Sequence, residues 1–454
     1  MNYGDYPHPT HQNKFGGKVP PNRHWNRQDK SHQPYQRKSF EHKTKYEKDQ
    51  LKHPTANTLE TNCSLYTSSA FPYFRHPREI GSFSMDENRE YLNNRSQLRY
   101  YNEAQAKSGT CYDLKEGYDT FISKDENYKE YLDSLLQFIT LNVEKFKAVN
   151  PLNDKSQKET DICTDFVCWR GLLTKILGTP YLDRQQNSWK LAVIKYRNSY
   201  YMCEYDTEER KREAENMTEK HKAMSYWGWK FENCVLSDTE DGVPNAEEPV
   251  NNNLSFVSVV RSRLENHSLV YGGEVDGYEK KPDGSCQYIE LKTNLALKNI
   301  HVEKGFKRVK QLKNWLQSFL LNIPKIVVGF RDDNGIVDNL ESFETSKIPT
   351  IHGKNFWDAC VCFNYLKEFL DWVKSIVTHD ADEIISMPYV FEFVPHTGRT
   401  HYRKCSEEEM SQYCFIPKWY FEFVENHFKS DGTNLLKYSR NYQENDQKDA
   451  PNLE

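Results

Sequence analysis

Apolar residues along this chain fall into two rhythms. Strand-like runs come in pairs. WKLAVIKYRNSYYMCEY (Trp189–Tyr205) breaks at Arg197-Asn198 and predicts a β-hairpin. KIVVGFRDDNGIVDNLESF (325–343) predicts another, because Asp333-Asn334-Gly335 is a strong turn signal. Helical spacing appears in three places. DENYKEYLDSLLQFITLNVEKF (125–146) repeats Tyr128, Tyr131, Leu132, Leu135, Leu136 and Phe138. GFKRVKQLKNWLQSFLLN (305–322) puts Val309, Leu312, Leu316, Phe319 and Leu320 on one apolar face. FNYLKEFLDWVKSIV (363–377) reads as a third helix. Regular patterning starts near Ser64–Asp86, with no internal repeat and no linker before Ser439. The expectation is one mixed α/β (α+β) domain, with twisted mixed and antiparallel sheets flanked by helices around an acidic cleft.

One stretch departs from simple amphipathic logic. GGEVDGYEKKPDGSCQYIELKT (272–293) reads as two strands joined by a polar turn. Side chains alternate across a strand, so Val270, Gly272, Glu274, Asp276 and Tyr278 share one face, and Leu269, Tyr271 and Val275 the other. On the returning strand Tyr288, Glu290 and Lys292 point together, opposite Ile289 and Leu291. Three carboxylates and one ammonium thus converge. Two carboxylates about 5 Å apart repel by roughly 3 kcal/mol at an effective dielectric of about 20. A divalent cation relieves that strain, and carboxylate-bound Mg²⁺ activates water against phosphoryl groups. The spacing alone fits better an ordinary hairpin with its charges in water, with Lys292 guarding a strand edge.

Charge is unevenly spread. The 454 residues carry a formal net charge of −5. Residues 1–55 hold 11 Lys and Arg against 5 Asp and Glu, which leaves −11 for the rest. That arm is rich in His, Gln, Asn, Lys and Pro and buries too little apolar area to offset its entropy, so it reads as a disordered basic tail over 1–60. The folded region is expected over 61–440, with a polar end over 441–454. A basic arm on an acidic body suggests a polyanion partner. The 11 cysteines include no Cys-x-x-Cys, which argues against structural zinc. No apolar run approaches the roughly 20 residues that span a bilayer. The expected setting is the cytoplasm, or else the nucleus.

Five stretches in order carry a family resemblance: FVCWRGLLTKILGTPY (166–181), MSYWGWKFE (224–232), GGEVD (272–276), YIELKT (288–293) and WLQSFLLNIPKIVVGFRDDNG (315–335). Together they resemble the eukaryotic decapping exoribonuclease (DXO) family, from about Arg75 to Tyr420. The resemblance implies that Glu232, Glu274, Asp276 and Glu290, with the Leu291 carbonyl, bind Mg²⁺ or Mn²⁺. The family's Gly-x-hydrophobic-x-Glu pattern has Lys230 at its middle position here, and its acid carries over as Glu232. Lys292 completes the catalytic set. Trp169-Arg170-Gly171 corresponds to a motif that contacts RNA phosphates, and Gln317 to a residue near the scissile phosphate. Arg89 and Glu130 map to substrate contacts.

The implied activity is removal of incomplete or nicotinamide-type caps and 5′–3′ degradation of 5′-monophosphate RNA. Neither DNA nor a membrane is an expected partner. Two other readings stand beside it. One is a weakly catalytic stabilising partner of a larger 5′–3′ exoribonuclease. The other is a glycosidase with paired carboxylates, which leaves Lys292 and Arg170 without a role.

Overall fold

The computed structural model describes residues 58–125, 127–146, 162–182, 188–379, 383–428 and 438–440. The chain divides into Met1–Pro54 and Thr55–Glu454, and every described residue belongs to the second unit. Most of the basic tail and all of the 441–454 segment therefore lie outside the described residues. Structure begins earlier than the sequence pattern suggests. Strand Thr58–Glu60 pairs antiparallel with Arg399–Lys404 at a sheet edge, where backbone pairing substitutes for apolar content.

Two mixed sheets form the frame. Among the described residues, the larger has ten strands and the smaller seven. In the larger sheet, Phe166–Trp169 lies parallel to both Ser199–Tyr205 and His267–Glu274. The expected hairpin, Trp189–Tyr196 with Ser199–Tyr205, is present, and Arg197 turns it with φ 52°. Its run is almost continuously apolar because both faces are covered. Leu191 and Val193 pack among Arg170–Gly178 and Ala359–Ile376 side chains, whereas Ala192 and Ile194 pack among those of Asp133–Leu141 and Lys418–Phe428. In the smaller sheet, Cys286–Leu295 lies between Gly277–Lys280 and the parallel strand Lys325–Arg331. The hairpin Lys325–Arg331 with Ile336–Glu344 turns as expected through Gly335 at φ 83°. Among the described residues, no helix is long and apolar enough to cross a membrane.

Three helices differ from their sequence patterns. The first spans only Asp133–Leu141, because Tyr131 adopts a left-handed backbone (φ 47°) that helical geometry excludes. Glu130 consequently lies off the helix. The second is composite: Ile300–Gly305 is α-helical, Phe306–Lys310 forms a π-turn, and Gln311–Leu320 resumes the α-helix. A π-turn inserts extra residues and rotates the buried stripe. Val309 is accordingly exposed, while Leu312, Trp315, Leu316 and Leu320 are buried. The third begins at Ala359 rather than Phe363, because the Asp358 side chain caps the Cys360 amide.

The charged stretch is also rearranged. His267–Glu274 belongs to the larger sheet, paired with Ser255–Leu264. The chain leaves it at Val275–Asp276 and enters the smaller sheet at Gly277, where Gly277–Lys280 pairs with Cys286–Leu295. Face parity thus holds within each strand but not across the crossing. Val270 and Gly272 are as buried as Leu269 and Tyr271, since this strand is covered on both sides.

Asp165 joins three elements. Its carboxylate accepts from the Ser268 amide (2.7 Å) and hydroxyl (2.8 Å), and from Lys374 Nζ (2.6 Å) on the Ala359–Ile376 helix. Burial works to raise its pKa, but these partners hold it below the usual range. Replacing Asp165 with Ala should cost about 1–3 kcal/mol in urea unfolding at pH 7, because partly buried donors lose their acceptor. The folded-state pKa is depressed, so the contribution is present above about pH 4 and is lost as pH falls through the folded value. The gap between wild type and variant should therefore close in acid.

Candidate active site

The acids meet where the two sheets meet. Glu274 ends strand His267–Glu274 of the larger sheet, Asp276 lies in the crossing, and Glu290 and Lys292 sit on the strand that receives it. Two glycines permit this closeness. A Cβ on Gly273 would stand 2.8 Å from Leu321 and 3.0 Å from Arg170 side-chain atoms. One on Gly277 would lie 2.7 Å from Leu236, the residue just after the Glu232-bearing helix Glu219–Val235.

Lys292 occupies the middle of the cluster. Its ammonium lies 2.6 Å from Glu290 Oε1 and 3.4 Å from Asp276 Oδ2, and it donates to the Leu291 carbonyl at 2.9 Å. The Leu291 amide donates to Asp276 Oδ2 at 2.7 Å, fixing that carboxylate against the strand. Glu290 is only 1% exposed, and among the described residues its Oε2 has no hydrogen-bond partner. Arg170 Nη1 faces Glu290 Oε1 at 3.8 Å and is itself buried without a hydrogen bond among the described residues, while Nη2 donates to the Glu274 carbonyl at 3.0 Å. Among the described residues, no three His, Cys, Asp or Glu side chains are gathered tightly enough to hold a metal ion as they stand. The ammonium of Lys292 lies between the acids instead.

Titration reflects the crowding. Desolvation, then the charge of Asp276, pushes Glu232 well above the carboxylate range. Desolvation raises Asp276 to about 6 despite Lys292. Glu274 is open to water on one side, yet the protein around it raises its pKa against the pull of Arg89 and Arg170. Glu290 moves the other way: burial opposes its charge, but Lys292 and Arg170 hold it below the ordinary value. Lys292 is pushed up by Asp276 and Glu290, which outweigh its own desolvation. These mutual effects bring Glu232, Glu274, Asp276, Glu290 and Lys292 within one electrostatic neighbourhood.

The other sequence-identified residues surround it. Trp169 is a strut: its indole donates to the Tyr131 carbonyl at 2.7 Å and its ring packs on Gly272. Gly171 is exposed in the first turn of helix Arg170–Gly178, with open space where a Cβ would project and no side-chain cap on the helix. Gln317 is half-buried, and among the described residues its Oε1 has no partner. Arg89 and Glu130 form a two-point pair at 2.6 and 2.7 Å. Lys124 joins Glu130 at 2.7 Å, and Arg89 also donates to the Asn253 carbonyl at 2.6 Å. Arg89 holds this position with φ 63°.

Sequence reasoning missed two cations. Lys313 is pushed down by desolvation and by Lys310, Lys292, Lys175 and Arg170, and it helps keep Glu290 ionised. Its place one helical turn before Gln317 was the available signal. Arg99 lowers Glu232 and donates to the Leu236 carbonyl at 3.1 Å. In metal-free buffer at pH 8, Lys292→Met should cost about 3 kcal/mol of unfolding stability, because buried Glu290 loses its nearest cation. At pH 5, below the Asp276 titration near 6, fewer ionised acids depend on Lys292 and the cost should shrink. Urea melts in EDTA at both pH values measure this.

The chain is similar to known proteins over most of its length. A family model described as RAI1 like PD-(D/E)XK nuclease matches residues 75–421. The decapping and exoribonuclease protein of Xenopus laevis is 37% identical over 379 residues, covering 82% of this chain and 91% of that protein. Candida albicans Rai1, solved in complex with pU5-Mn²⁺, shares the fold at TM-score 0.67 and 24% identity, over 82% of this chain and 100% of its own. S. pombe Rai1, solved with 3′-FADP, gives TM-score 0.59 at 25% identity, over 77% of this chain and 100% of its own. An acid-and-lysine cluster at a sheet junction, a matching family model and relatives alike over most of their length lead to one conclusion: the chain belongs to the RAI1-like PD-(D/E)XK nuclease family.

Proposed function

We propose that this protein is a divalent-metal-dependent hydrolase of RNA 5′ ends. It removes incomplete or nicotinamide-type caps and degrades 5′-monophosphate RNA in the 5′–3′ direction. The observation that carries this reading is Glu290, a buried carboxylate held ionised beside Lys292 and Arg170 with one oxygen left unpartnered among the described residues. An all-oxygen set of Glu232, Glu274, Asp276, Glu290 and the Leu291 carbonyl suits a hard cation such as Mg²⁺ or Mn²⁺. When bound, the cation acidifies a water and offsets charge on a phosphoryl oxygen.

The chain's own residues do the rest. Lys292, released from its contact with Glu290, orients the attacking water and counters negative charge as it develops. Arg170 and the Gly171 amide at the helix start hold phosphate oxygens. The Gln317 amide and the Lys313 ammonium secure the same phosphate from the facing helix. Arg89 and Glu130, locked together, wall the rim against which the first nucleotides lie. Four acids alone would repel RNA; these cations draw it in. A solely stabilising role beside a larger exoribonuclease would leave the buried cluster with nothing to do.

The decisive experiment incubates the protein with 5′-monophosphate RNA and with unmethylated-cap RNA in Mg²⁺, Mn²⁺ or EDTA. Nucleotide release should require the metal and fall at least about 100-fold in an Asp276→Ala/Glu290→Ala variant. No release from either RNA, together with tight capture of an exoribonuclease, would replace this reading with the partner role. The basic arm should add encounter rate and affinity through phosphate contacts. Deleting residues 1–55 should weaken RNA binding at low salt, flatten its salt dependence, and leave the single-turnover rate at saturation unchanged.

A further inference from the structure

The helix that carries Glu232 also carries an indole in water. Trp229 is 36% exposed on helix Glu219–Val235, whose other side buries Trp227, Lys230 and Phe231. Residues three apart share a helix face, so Trp229 and Glu232 stand on the same stripe, about 4.5 Å apart along the axis. Phe121 stacks against the Trp229 indole, with centroids 5.4 Å apart and planes 26° from parallel. Edge contact with Tyr226 at 5.2 Å fixes Phe121 in turn.

The segment that carries Phe121 is tied to its neighbours by hydrogen bonds. The Ile122 amide donates to the Val250 carbonyl at 2.9 Å, and the Lys124 amide to Asn252 Oδ1 at 2.6 Å. Lys124 joins the Glu130–Arg89 clamp, and the charge of Arg89 reaches Glu274. A chain of contacts thus links the segment that carries Phe121 to the acids. A single exposed aromatic is ordinary surface. Two stacked rings beside exposed Ile122, one helical turn from a phosphate-handling cluster, form a platform.

We propose that Trp229, backed by Phe121, is a base-stacking subsite for the nucleotide whose phosphate lies at the acid cluster. This rests on the 5′-end hydrolase reading and deepens it. One helical turn is the scale of the ribose that separates phosphate from base. Ring stacking recognises any nucleobase, because each has a π-face, and it is worth roughly 5- to 150-fold in affinity. Trp229 accordingly supplies sequence-independent grip, while the acids and cations supply chemistry.

The test compares 5′-monophosphate RNA bearing a normal first nucleotide with the same RNA bearing an abasic one. On normal RNA, Trp229→Ala should raise KM about 10-fold with little change in kcat, and Trp229→Phe should restore most of the loss. On abasic RNA, wild type and Trp229→Ala should coincide. An equal loss on both RNAs would assign Trp229 to packing alone, and no loss on either would also overturn the subsite. Binding of both RNAs to wild type in EDTA, followed by anisotropy, makes the same comparison without turnover. Absent cleavage with base-dependent binding would sink the hydrolase reading and keep the subsite; cleavage with base-independent binding and KM would do the reverse.

Discussion

Everything in this molecule is arranged around like charges held together. Glu290 is removed from water and still ionised, which is tolerable only because Lys292 touches it and Arg170 faces it. The same ammonium serves Asp276 and the Leu291 carbonyl, so one side chain balances several oxygens. Such a balance demands fixed positions. Backbone supplies them: the strand carrying Glu290 is held on both sides, by Gly277–Lys280 and by Lys325–Arg331. The Leu291 amide then pins Asp276 in place.

The arrangement also explains why two sheets are needed. A flat hairpin would carry the acids on one open face, where water screens them. Passing from one sheet to the other at Val275–Asp276 turns the acids into a junction walled by helices 170–178, 219–235 and 311–320. Desolvation there strengthens every interaction with a bound phosphate, and it is the largest influence on Glu232, Glu274 and Asp276.

What could be read from the chain was local. Both hairpin turns were legible because Arg197-Asn198 and Asp333-Asn334-Gly335 act through their own backbone angles. The residues of the acidic cluster were legible because motif order survives in sequence. What escaped was long-range or irregular. No spacing announces that Glu274 and Gly277 belong to different sheets, since the crossing is defined by partners at 166–169 and 325–331. Helical periodicity ran through Tyr131, whose left-handed backbone frees Glu130 to meet Arg89. The π-turn at Phe306–Lys310 shifted a stripe that looked unbroken. Lys313 reads as a solvated surface charge until the opposing Arg170 and Lys292 are known.

The parallel strand pairings have a consequence for biosynthesis. Arg170 meets the Glu274 carbonyl across 104 positions of chain, and Glu290 sits on a strand completed only by Lys325–Arg331. Such distant pairings form late, because the loops they close must first lose entropy. A growing polypeptide still on the ribosome therefore cannot assemble this site until residues beyond 331 have emerged.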